Sequence, residues 1–127
     1  MSTFSTALKK RPLGNMRNYE YFKEFSKSYK RLKKKYKTLD EDFEKFNQVL
    51  DLSPEGVGKN FIIIHTGEHL KVIKARMACQ TLRERSLRVM YGYHQKKDIF
   101  YFLEIYYKGD QENENRSLIE YFLREFE

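Results

Sequence analysis

The chain has 127 residues, enough for one hydrophobic core and too few for two. Hydrophobic residues make up 40% and charged residues 34%, and the formal charge of +7 favours an anionic partner: nucleic acid, an acidic protein or a membrane surface. The single cysteine, Cys79, excludes a disulfide framework or a cysteine metal cluster, and neither a transmembrane-length apolar run nor a signal-peptide core is present, so the chain reads as cytoplasmic.

Residues 1–15 are polar or small, with Pro12 and Gly14 and no clear period, and read as a flexible leader. The domain proper is expected over 16–127. Asn18 to Phe25 is aromatic-rich and reads as a first strand. From Phe25 the period changes: Tyr29, Leu32 and Tyr36 follow at i+4, i+7 and i+11, the stripe of an amphipathic helix with lysines on its other faces. Thr38-Leu39-Asp40-Glu41 fits a capping box and opens a second helix with Leu39, Phe43, Phe46, Val49 and Leu50 on one side. Ser53-Pro54-Glu55-Gly56 ends it, so the two helices are expected to form an antiparallel hairpin.

The remainder reads mainly as strand. Phe61 to Ile64, His69 to Cys79, Leu87 to His94 and Ile99 to Tyr107 are apolar or alternating, and Gln95 to Asp98 is a polar turn. Ser117-Leu118-Ile119-Glu120, a second capping box, opens a terminal helix whose Leu118, Ile119, Phe122, Leu123 and Phe126 can pack on the sheet. The expected fold class is α+β: a small single domain with an N-terminal strand and helical hairpin packed on an antiparallel sheet, then a C-terminal helix. His65-Thr66-Gly67-Glu68-His69 spells an inverted zinc-protease motif, but that motif needs a helix and this one follows three isoleucines, so it reads as a hairpin turn and no metal ligand is assigned.

The chemistry concentrates between Lys71 and Lys108. Lys74 and Arg76 lie two apart and share a strand face, Arg88 lies on the next strand, and Lys108 closes the last one. These four are the candidate catalytic residues, on condition that strand register brings them to one face. Cleavage of RNA through its 2′-hydroxyl needs a proton acceptor, cations for the phosphorane charge and a proton donor, but no metal or other cofactor. Lys74 or Lys108, crowded by arginines, is a candidate acceptor. Lys71, Arg83, Arg85, Tyr91, His94 and Tyr106 complete the set as candidate RNA-binding residues, the tyrosines and His94 as stacking platforms or acids.

Three segments resemble the RelE/ParE superfamily of type II toxin–antitoxin toxins, in particular its RelE-like and HigB-like branches: Lys71-Val72-Ile73-Lys74-Ala75-Arg76, Ser86-Leu87-Arg88-Val89-Met90-Tyr91 and Ile105-Tyr106-Tyr107-Lys108. The resemblance, over about 18–126, implies a ribosome-dependent mRNA endonuclease (an mRNA interferase that inhibits translation) restrained by a cognate antitoxin covering its basic face. On matched positions the resemblance implies that Lys74 and Arg76 correspond to the family's basic strand residues, Arg88 to its phosphate-contacting arginine and Lys108 to its late basic residue. Where RelE-type toxins carry a tyrosine in the terminal helical region, this chain has Glu114, Asn115 and Arg116, with Tyr121 further on. Two other readings are a ParE-like, non-enzymatic inhibitor of a DNA topoisomerase and a non-toxic RNA- or protein-binding module.

Overall fold

A computed structural model describes residues 6–10, 18–83, 85–111 and 113–127. In chain order it contains β1 (Thr6–Lys10), β2 (Asn18–Phe22), α1 (Lys23–Lys35), α2 (Leu39–Leu52), β3 (Phe61–Thr66), β4 (Leu70–Ala78), β5 (Ser86–His94), β6 (Ile99–Tyr107) and α3 (Arg116–Phe126). The strands form one six-stranded sheet in the order β1-β2-β6-β5-β4-β3. Every neighbouring pair is antiparallel except β2 and β6, which run parallel. The fold is the expected α+β arrangement, and no helix among the described residues is long and apolar enough to cross a membrane.

Two apolar clusters sandwich the sheet. Phe25 and Leu32 of α1 and Leu39, Phe43, Phe46 and Leu50 of α2 pack on Ile73, Ala75, Val89, Tyr91, Phe100 and Phe102. On the other face Leu118, Ile119 and Phe122 of α3 pack on Leu70, Val72, Met90, Tyr101 and Leu103. Side chains alternate across a strand, so Ile73 and Ala75 meet the helical hairpin while Val72 turns to α3. At Gly92, a Cβ would come within 2.4 Å of the Phe122 ring, so glycine is what lets α3 lie this close.

The structure corrects the sequence reading at several points. The aromatic stretch from Asn18 divides at Phe22, because Tyr21, Phe25 and Tyr29 already follow the helical spacing and stack on one another. Residues 6–10, expected within a loose leader, pair with β2 as a strand, while the rest of 1–15 lies outside the described residues. Neither expected capping box forms. The Thr38 hydroxyl donates to Asp42 Oδ2 at 2.8 Å instead of capping α2, and the N-cap of α3 is Asn115, whose Oδ1 accepts from the Leu118 N–H at 3.2 Å. The segment from His65 to His69 is the hairpin between β3 and β4, closed by Gly67 N–H to Leu70 carbonyl at 2.7 Å.

One irregularity decides which side chains share a face. In β6, Glu104 lies opposite Met90 but Phe102 lies opposite Tyr91, which leaves Leu103 as the extra residue of a β-bulge. Strict alternation would put Phe100, Phe102, Glu104 and Tyr106 on one side. The bulge separates them. Phe100 and Phe102 stay in the helical-hairpin cluster, and Tyr106 joins the α3 cluster.

Candidate functional site

Register places Arg76, Arg88 and Tyr106 in one row. Arg76 of β4 lies directly opposite Arg88 of β5, and Arg88 lies opposite Tyr106 of β6; Lys74 is one step along, opposite Met90. Two like charges directly opposite each other on a sheet oppose folding, so the row is a local conflict that stability does not explain. Such conflicts are expected where a ligand of opposite charge is to be held.

The row opens into a hollow of about 160 Å³. Lys74, Arg76, Arg88 and Lys108, the four residues singled out as catalytic candidates, all line it, joined by Lys59 from the loop before β3. Asn60, Ile62 and Asn113 complete the rim, and no carboxylate lines the hollow among the described residues. Arg88 is fixed by its own strand: one guanidinium nitrogen donates to Ser86 Oγ at 2.9 Å and, more weakly, to the Ser86 carbonyl at 3.4 Å. No carboxylate pairs with Lys59, Arg76, Arg88 or Lys108 among the described residues.

Tyr106 forms part of the wall. Its side chain is 2% exposed, yet its hydroxyl has no hydrogen-bond partner among the described residues. A buried hydroxyl without a partner costs about 1–3 kcal/mol, and a ligand oxygen in the hollow would remove that cost. Burial, with help from Glu114 and Glu104 against Arg88, pushes the phenol up to about 12, so it stays protonated as a donor.

Two carboxylates stand behind the hollow. Lys74 Nζ donates to Glu114 Oε1 at 2.9 Å, and Glu114 is largely buried. That hydrogen bond, outweighing burial, holds the Glu114 carboxyl below its ordinary range. Glu104, 7% exposed, accepts from the Asn115 N–H at 2.9 Å and from Gln111 Nε2 at 2.5 Å, tying the loop before α3 to β6. Burial raises its carboxyl despite both bonds.

The remaining candidates lie elsewhere. Lys71 has the opposite parity to Lys74 and is held by Glu55, on the face covered by the helical hairpin. Tyr91 is fully buried in that same layer, its hydroxyl donating to the Pro54 carbonyl at 2.9 Å, so it offers RNA no ring. His94 sits opposite Leu70, at the other end of the sheet, buried, with Nδ1 accepting from the Lys97 N–H at 3.1 Å. Burial and the neighbouring Lys97 hold its imidazole below the ordinary range, which suits a neutral structural histidine. Arg83 and Arg85 are exposed after the short 3₁₀ turn at Gln80–Leu82 and do not line the hollow; Arg85 instead donates to the Tyr107 hydroxyl at 2.6 Å.

Sequence reasoning missed Lys59 and Glu104 and left Glu114 without a role. Lys59 sits in a Gly-containing loop that carries no periodicity. Glu104 is hidden by the bulge, which alone puts it beside the basic row. Glu114 belongs to a locally acidic segment that reads as surface. Comparison of the chain with protein-family models, curated proteins and solved structures finds no match.

Proposed function

We propose that the protein is the toxin component of a type II toxin–antitoxin system, an mRNA endonuclease that cuts RNA through its own 2′-hydroxyl while the message is on the ribosome. The observation that carries this reading is the hollow itself: five cations from four separate stretches of chain, with a buried donor hydroxyl, around a volume that suits one phosphodiester. Arginine recognises phosphate through a planar fork of donors, and Arg88 has its fork pre-oriented by Ser86. A phosphorane gains charge as the 2′-oxygen attacks, and fixed cations stabilise it more than they stabilise the ground state. The three sequence segments that resemble RelE/ParE toxins supply Lys74, Arg76, Arg88 and Lys108 to this hollow, which supports the same reading. A cognate antitoxin of acidic character would cover it.

The test is to induce the chain in cells and map transcript 5′ ends. New ends within translated regions are expected with the wild type and absent with Arg88→Ala at equal protein level. Arrested growth with intact transcripts and a DNA-damage response would instead favour a topoisomerase inhibitor. Salt-sensitive RNA binding with neither cuts nor arrest would leave a binding module.

A further inference from the structure

Resting on that reading, we infer that Glu114 is the general base, accepting the 2′-hydroxyl proton, and that Tyr106 is the acid that protonates the leaving 5′-oxygen.

The hollow presents cations, a phenol that keeps its proton and the amides of Asn60 and Asn113, which are too weakly basic to take one, so the proton acceptor has to come from its edge. Glu114 is the carboxylate in contact with a lining residue: Lys74 Nζ, at 2.9 Å, holds Oε1. In this pair Lys74 Nζ is the donor and Glu114 Oε1 the acceptor, so the lone pairs placed to take a proton are those of Glu114. Glu114 follows Asn113, which lines the hollow, and precedes Asn115, whose N–H is anchored on Glu104. The loop carrying the base is therefore fixed from both sides. Glu104, the other nearby carboxylate, has its two oxygens engaged by Gln111 and Asn115 and is kept for structure.

Tyr106 supplies the other half. It lines the hollow, and its buried hydroxyl keeps its proton, with no acceptor among the described residues. The 2′-O–H bond breaks and its proton goes to Glu114; the 2′-oxygen forms a bond to phosphorus; the bond from phosphorus to the 5′-oxygen breaks; and the 5′-oxygen takes the proton of Tyr106. The products are a 2′,3′-cyclic phosphate and a 5′-hydroxyl. Solvent then carries the proton from Glu114 back to Tyr106. Lys74, Arg76, Arg88 and Lys108 carry the phosphorane charge throughout.

The charged and titratable groups facing Glu114 are Lys74 from β4, Glu104 and Tyr106 from β6, and Arg116 from α3. Lys74 and Arg116 both favour its ionised form. A base ionised across the neutral range gives a cleavage rate that is flat with pH.

The experiment uses the full chain in single-turnover cleavage of an mRNA on programmed ribosomes and of the same RNA free, between about pH 5.5 and 8.5. Wild-type cleavage is expected to be flat over that range. Glu114→Gln keeps an oxygen for Lys74 but cannot accept the proton; a loss of about 10²–10⁴-fold near pH 7 is expected, as for other positioned bases. Its residual rate should rise about tenfold per pH unit, because hydroxide then removes the proton. Binding of the 2′-deoxy analogue, which cannot be cut, should be as tight as in the wild type or tighter. Tyr106→Phe should lose rate with binding kept. Should Glu114→Gln lose rate but remain flat with pH, Glu114 merely positions Lys74 and the assignment is overturned. Equal rates for variant and wild type overturn it too. Absence of cleavage by the wild type on ribosomes and off them overturns the nuclease reading itself, and this assignment with it.

Discussion

The face of the sheet that meets α3 has two halves built on the same strands. At one end Leu70, Val72, Met90 and Tyr101 are buried beneath Leu118, Ile119 and Phe122. At the other end the next same-face positions, two residues along β4 and β5, are Lys74, Arg76 and Arg88, and α3 does not cover them. Parity is unchanged from one half to the other; only the chemistry switches, from apolar to cationic. An apolar residue at Arg76 or Arg88 would relieve charge repulsion across β4 and β5, so the basic half stands at the expense of stability where the covered half contributes to it. One half holds the fold together, and the other is held ready by it.

The largest expected effect tests the covered half. Phe122 is fully buried, packs edge-to-face on Phe22 and lies where a Cβ at Gly92 would clash with its ring. Phe122→Ala should cost about 3–5 kcal/mol, read as a lower urea midpoint, because truncating a large core aromatic leaves a cavity that its neighbours fill poorly. A loss below about 1 kcal/mol would mean that α3 is not part of the core. In the basic half, Arg88→Ala should reduce cleavage by about 10²–10³-fold, the loss typical of removing one preorganised donor to a developing oxyanion. Its urea midpoint should not fall below that of the wild type, since among the described residues Arg88 bonds only to Ser86 and its loss relieves the repulsion from Arg76. A large stability loss with proportionate activity loss would make the arginine structural and erase the contrast.

A smaller effect of opposite sign sharpens the comparison. Arg76→Thr removes one of two like charges that face each other across β4 and β5 and adds a strand-favouring side chain. The variant should be more stable by roughly 0.2–1 kcal/mol, while its RNA affinity falls and depends less on salt. Unchanged or lower stability would show that Arg76 and Arg88 do not repel, and that the row is not a functional conflict.

Much of this contrast was legible in the residues. The switch from Val72 to Lys74 and Arg76 is visible as alternation in which one face changes from apolar to basic, and Arg88 follows on the next predicted strand. The helical hairpin could be read from the spacing of Phe25, Tyr29, Leu32 and Tyr36. Register could not, because it depends on pairing between distant segments. Leu103 shows why: no local feature of Ile99 to Tyr107 announces a bulge, yet it alone decides that Glu104 and Tyr106 face the cations while Phe100 and Phe102 face the helices. Lys71, Tyr91 and His94 lie away from the hollow for the related reason that composition cannot say which face, or which end, of a strand a residue occupies. Lys71→Ala and His94→Ala should accordingly leave RNA binding within about twofold, a null result that binding assays at low salt can check.

The smallest effect concerns the joint between the two halves. Glu104 is buried, and its carboxyl is raised chiefly by that burial, although Asn115 and Gln111 both donate to it. For an acid raised on folding, the native state holds its proton where the unfolded chain has already lost it. Stability therefore falls as pH rises through the window between the ordinary glutamate value of about 4.3 and the raised native value, and the deficit persists above it. Glu104→Gln removes the titration while leaving an oxygen for the Asn115 N–H. The variant and wild type should unfold at similar temperatures near pH 4, and the variant should gain on the wild type as the pH approaches neutrality. The opposite trend, with the wild type gaining on the variant as pH rises, would mean that the two donors outweigh desolvation. In that case the ionised carboxylate itself would anchor the loop that positions Glu114.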